Sequence, residues 1–244
     1  MKKVVFESPA EVGTFVASRI VDAVVAKPNL VLGLATGSTP LPSYQEVLRL
    51  TAERNVDFSQ VRAVMLDEYF GLAKNSINSY RYFIKEHLTD ELGIADSNLY
   101  TLDGEAPDPA AECAALEDTI RRLGGVDLQV LGIGVNGHIA FNEPGTPRES
   151  RTHIVTLDQS TRVSNARFFN DLSEVPAQAL SQGIATILDA SEILLIGTGA
   201  NKANAVASAL EGSPSLAVPA SQLQGHQNCT AVLDKPAAAK LLVA

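Results

Sequence analysis

From end to end of this chain, short apolar runs alternate with longer stretches in which apolar side chains recur every third or fourth position. Runs at 4–6, 30–34, 61–66, 126–133, 154–157, 193–196 and 230–233 have the length and continuity of strands buried on both faces. Between them the spacing predicts helices. Ser8-Pro9-Ala10-Glu11 is a capping box with proline at the first helical position, and Val12, Phe15, Val16, Ile20, Ala23 and Val24 then mark one buried face. Further helices are predicted over 41–53, around 79–87, over 109–123, near 176–188 and from about 201 to 210. This alternation predicts an α/β fold of Rossmann-like kind, a mostly parallel sheet with helices on both faces. No linker, low-complexity tract or repeat interrupts the 244 residues, so residues 1–244 read as a single domain.

In such sheets ligands gather at the carboxyl ends of the strands, and four predicted strand ends here carry useful chemistry. After 30–34 come Thr36, Gly37, Ser38 and Thr39, leading into a helix whose free N–H groups would suit a phosphate. A turn capped by Ser38 or Thr39 alone is the plainer alternative, and these residues by themselves do not decide. After 61–66 come Asp67 and Glu68, either a solvated acidic pair or a helix cap, or a carboxylate base aimed into the crevice. The densest stretch is 132–145, where glycines surround Asn136, His138, Asn142 and Glu143. Glycines allow close approach of backbone to ligand, and an imidazole, with an ordinary pKa of about 6.5, exchanges protons near neutral pH. His87, His153 and His226 lack such surroundings. The fourth end, 197–202, opens a helix with glycines and Lys202. Arg162, Arg167, Phe168 and Phe169 form either a surface loop with aromatic anchors or a cationic arm.

Composition narrows the partners. A net charge of -9 argues against a nucleic-acid backbone but leaves room for a small anion held by local cations. Cys113 and Cys229 stand far apart among small or apolar residues and are expected to be free buried thiols. The apolar stretch near the N-terminus is cut by Glu7 and Pro9, and nothing approaches a membrane span. A cytoplasmic protein is expected. No residue group has metal-ligand spacing, so no metal is expected.

With these motifs assembled, the chain resembles the glucosamine-6-phosphate deaminases (glucosamine-6-phosphate isomerases) over essentially its whole length. The resemblance rests on LGLATGSTP at 32–40, MLDEYFGL at 65–72, GIGVNGHIAFNEPG at 132–145 and the run from SRTH to TRVSNARFF at 150–169. It implies conversion of glucosamine 6-phosphate and water to fructose 6-phosphate and ammonia, without a cofactor. It implies that Asp67 is the base moving a proton from C2 to C1, that His138 opens the pyranose ring, and that Asn136 and Glu143 orient its imidazole. It further implies a phosphate site made of Thr36, Gly37, Ser38, Thr39, Arg167 and Lys202. The segment after Arg151 is expected to lie over the substrate.

Two departures from the family pattern matter. Longer members carry an aspartate at the position of Asn136, and shorter ones share the asparagine, which implies a different pH profile. Hexameric, regulated members have basic residues where His153 and Val155 stand and continue beyond residue 244. The expectation is a monomer or small homo-oligomer without activation by N-acetylglucosamine 6-phosphate. Two rival readings remain. One is a 6-phosphogluconolactonase, which has no need of Asp67 as a carbon base. The other is a sugar-phosphate sensor, usually joined to a basic helix-turn-helix that this N-terminus lacks.

Overall fold

The computed structural model describes residues 1–242. Ten strands are present: β1 (Lys2–Phe6), β2 (Val31–Leu34), β3 (Arg62–Met65), β4 (Asp67–Tyr69), β5 (Leu99–Tyr100), β6 (Leu128–Gly132), β7 (His153–Thr156), β8 (Gln178–Ser181), β9 (Glu192–Gly197) and β10 (Cys229–Asp234). The helices are α1 (Pro9–Ala26), α2 (Leu41–Arg54), α3 (Tyr80–Ile84), α4 (Pro109–Leu123), α5 (Gln159–Asn165), α6 (Ile184–Leu188), α7 (Ala203–Glu211) and α8 (Lys235–Ala238).

Seven strands pair in the order β1-β10-β9-β6-β2-β3-β5, parallel throughout. Successive strand residues feed opposite sides. Leu32 and Val130 pack with Val16 and Ile20 of α1 and Tyr44 and Val47 of α2. Val31 and Leu131 pack with Leu116 and Ile120 of α4 and Val206 of α7. Burial on both faces is why these strands read as unbroken apolar runs rather than alternating ones. Chain order runs outward from β2 through β3 to β5, and from β6 the other way through β9 to β10. The reversal between β2 and β6 opens a crevice at their carboxyl ends, where ligands of open parallel sheets bind.

A second, antiparallel sheet of order β4-β8-β7 stands beside this crevice. The chain changes sheets at Leu66, whose N–H still donates to Leu34 in the first sheet at 3.2 Å. Its carbonyl accepts the Gln182 N–H at 2.7 Å on the second. Asp67 is therefore the first residue past the junction.

The predicted α/β fold is present, and several elements differ. The segment 176–188 is divided: β8 replaces the first part of the predicted helix, which survives only as α6. Its Ala, Leu and Gln residues favour helix on their own, but β8 is gripped on both sides by β4 and β7 and buries Ala179, Leu180 and Ser181. At Gly183 a Cβ would meet the backbone of Ser150 at 2.2 Å, so the chain passes there only without a side chain. The helix around 79–87 ends at Ile84 and continues as a π turn, Lys85–Thr89. Of residues 162–169, read as a surface loop or a cationic arm, 162–165 belong to α5 and 166–168 to a 3-10 turn. Among the described residues no helix is long and apolar enough to cross a membrane.

Candidate active site

The loop after β2 turns at Gly37, whose φ of 90° is left-handed and open to glycine without strain. It enters α2 through Pro40, and no side chain caps the first turn. The plainer reading of Ser38 or Thr39 as the helix cap therefore does not hold. Ser38 Oγ instead accepts from Arg167 Nη2 at 3.0 Å. Thr36, Gly37, Ser38 and Thr39 line the crevice just ahead of the positive end of α2, which suits a phosphate dianion.

Asp67 lies at the crevice wall and is only 6 % exposed. Burial, with the neighbouring Glu68 charge, pushes its carboxyl up to about 8. Glu68 points the other way. Its Oε1 accepts the N–H groups of Tyr69 and Tyr80, both at 2.9 Å, and its Oε2 that of Arg81 at 3.0 Å. It is a helix cap supplied from a distant strand. Burial nonetheless lifts it to about 6 against those three donors. The acidic pair thus divides into one carboxyl at the cavity and one committed to α3. Tyr80, thereby fixed, also lines the cavity, its hydroxyl 3.3 Å from that of Tyr69.

After β6 the chain makes a tight turn. Gly137 donates to the Gly134 carbonyl at 3.0 Å, and Gly134 to that of His138 at 2.9 Å. The imidazole folds back over Gly134 so closely that a Cβ there would lie 2.3 Å from the ring. His138 Nδ1 faces Glu143 Oε2 at 3.5 Å, an ion-pair distance. Asn136 Nδ2 donates to the same Glu143 oxygen at 2.8 Å, and Asn136 Oδ1 accepts the backbone N–H of His138 at 3.2 Å. Asn136 therefore acts on Glu143 and on the turn, one step removed from the ring that it was expected to orient. Thr161 donates its hydroxyl to Glu143 Oε1 at 2.5 Å, and the Asp158 N–H reaches that oxygen at 3.4 Å. Burial is the largest single influence on Glu143 and opposes its ionisation, but the His138 contact, the Thr161 hydroxyl and the Asn136 amide together outweigh it and hold the carboxyl down to about 2.

Two cations complete the wall. Arg167 stacks over Phe168, its guanidinium carbon 4.7 Å from the ring centre, while donating to Ser38. Lys202 follows a turn at Gly199, φ 87°, whose N–H is held by both oxygens of Asp234 at 3.0 and 2.9 Å. Burial, with the nearby Arg167 charge, pulls the Lys202 ammonium down to about 8.

One cavity is thus lined by Thr36, Gly37, Ser38, Thr39, Asp67, His138, Arg167 and Lys202. Asn136 and Glu143 stand behind the imidazole. All ten sequence-derived residues come together, drawn from positions between Thr36, just after β2, and Lys202, just before α7. The sequence reading missed Tyr80, Phe141 and Asn165, which also line the cavity, and Thr161. Asn165 donates to the Tyr69 hydroxyl at 2.8 Å. Their signal was present in the motifs that contain them, but their side chains name no chemistry until the fold places them. The cavity has an anion-binding end, a buried carboxyl and an imidazole–carboxylate pair, an arrangement for proton transfer on a phosphorylated polar molecule.

The family described as glucosamine-6-phosphate isomerases/6-phosphogluconolactonase matches residues 7–232. The chain is 50% identical over 240 residues to glucosamine-6-phosphate deaminase 2 of Giardia intestinalis, covering 98% of this chain and 91% of that protein. It is 45% identical over 241 residues to the glucosamine-6-phosphate deaminase of Clostridium novyi, covering 99% and 100%. Among solved structures, a monomeric glucosamine-6-phosphate deaminase of the NagB superfamily superposes with a TM-score of 0.97 at 42% identity, covering 98% of this chain and 100% of that one. The 6-phosphogluconolactonase of Trypanosoma brucei shares the fold, with a TM-score of 0.75 at 23% identity over 98% of each chain.

Proposed function

Because this chain belongs to the family of glucosamine-6-phosphate isomerases and 6-phosphogluconolactonases, we propose that it is an amino-sugar phosphate deaminase, converting glucosamine 6-phosphate and water to fructose 6-phosphate and ammonia. The observation that carries the reading is the pairing in one cavity of Asp67, a buried carboxyl with no part in capping, and His138 backed by Glu143. A lactonase has no use for a carbon base, whereas aldose–ketose isomerisation requires one.

The 6-phosphate binds at Thr36, Gly37, Ser38, Thr39, Arg167 and Lys202, which fixes the sugar end to end. His138, oriented by Glu143, takes the proton of the C1 hydroxyl and delivers one to the ring oxygen, opening the pyranose. Ionised Asp67 removes the C2 proton while the aldehyde oxygen takes one from the substrate ammonium, leaving an enolamine, and Asp67 then returns its proton to C1. The resulting C2 imine takes up water and releases ammonia. A protonated substrate amine at C2 brings a positive charge beside Asp67 and favours its ionised form. The neighbour's description as monomeric and the two buried free cysteines support a monomer in a reducing, cytoplasmic setting.

The test is ammonia and fructose 6-phosphate released from glucosamine 6-phosphate without added metal. Equal amounts are expected, and their loss on Asp67→Asn. Turnover of a 6-phosphogluconolactone that survives Asp67→Asn, with no ammonia formed, would replace this reading.

A further inference from the structure

Thr161 is buried, 4 % exposed, on the inner side of α5. A helical threonine hydroxyl ordinarily bonds back to a carbonyl one turn earlier. This one leaves its helix and donates to Glu143 Oε1 at 2.5 Å. The other carboxylate oxygen takes the Asn136 amide at 2.8 Å and faces His138 Nδ1 at 3.5 Å. The two oxygens are thus tethered from different parts of the chain, one by α5 and one by the turn after β6. Freeing either would let the carboxylate plane rotate away from the imidazole. The same segment carries Asn165, bonded to the Tyr69 hydroxyl at 2.8 Å, and then Arg167, bonded to Ser38 at 3.0 Å.

We propose that Thr161 is a positioning residue for ring opening, holding the Glu143 carboxylate against the His138 imidazole from the helical segment that also presents Arg167 to the phosphate. The inference rests on the deaminase reading above. Thr161 touches no reacting atom, so its effect belongs in turnover rather than in substrate binding.

Thr161→Val keeps the shape of the side chain and removes the donor. Loss of a hydrogen bond to a charged group is expected to lower kcat roughly tenfold to a hundredfold, with KM changed by less than about twofold. Thr161→Ser, which restores only the hydroxyl, should recover most of kcat. If Thr161→Val does not fold, Thr161→Ala compared with Thr161→Ser is read the same way. Wild-type kcat in the valine variant would overturn the proposal. So would equal impairment of the valine and serine variants, which assigns the role to methyl packing, or a raised KM with kcat retained, which assigns it to the phosphate end. A wild-type protein that releases no ammonia overturns the deaminase reading and this inference with it. Normal wild-type turnover beside an unaltered variant overturns the inference alone.

Discussion

Asp67 shows what a buried base demands of the fold. An unfolded chain holds this carboxyl near its ordinary value of about 4, and burial in the folded protein lifts it to about 8. Folded protein therefore keeps a proton that the unfolded chain has already lost. The resulting contribution to stability is complete below pH of about 4 and is lost as the pH rises toward 8, at up to about 1.4 kcal/mol per pH unit. Asp67→Asn carries no such proton. Its advantage in thermal midpoint over the wild type is expected to be small in acid and to widen toward pH 8, while activity disappears. The same titration shapes catalysis. In the proposed mechanism Asp67 must lose its proton to act, and Lys202, pulled down to about 8, must keep its proton to hold phosphate. A narrow bell in kcat/KM near pH 8 is expected, with the acidic limb of kcat itself lower because the bound substrate amine favours the carboxylate. A kcat/KM that stays flat from about pH 6 to about pH 9 would contradict these assignments.

At the scale of elements, loops at strand ends are precise only because something distant holds them. Asp234, the last residue of β10, accepts the Gly199 N–H with both oxygens and caps α8 through the Ala237 N–H at 2.8 Å. Asp234→Ala is expected to cost about 1–2 kcal/mol in urea unfolding and to raise KM for the sugar phosphate more than it lowers kcat, since the loop it anchors carries Lys202. A variant that loses stability with unchanged KM would separate Asp234 from the phosphate site. The sequence made the strand ends and their chemistry legible, because buried parallel strands leave unbroken apolar runs and the polar residues after them stand out. It did not show what depends on contacts across the chain. Glu68 is a cap for α3 only once β4 lies against residues 79–81, and Thr161 matters only once α5 covers Glu143. β8 was hidden for the same reason: its helix-favouring residues become strand under pairing from both sides.

For the molecule as a whole, the question is whether one copy suffices. The cavity draws on the ends of β2, β6 and β9, the junction at Leu66 and the segment after α5, all within one chain. In the proposed reading the phosphate end, the carbon base and the ring-opening pair are all supplied by this one chain. A net charge of -9 adds mutual repulsion between copies, while Arg167 and Lys202 keep the local field favourable to a dianion at short range. A single site with no partner to which it must be coupled binds hyperbolically, and cooperativity needs at least two communicating sites. The expected behaviour is sedimentation at 25.8 kDa, specific activity unchanged on dilution, and a hyperbolic response to glucosamine 6-phosphate. N-acetylglucosamine 6-phosphate is expected not to raise activity at low substrate. Sigmoidal kinetics, or activity lost on dilution together with a larger sedimenting species, would show that the chain completes its site only in an assembly.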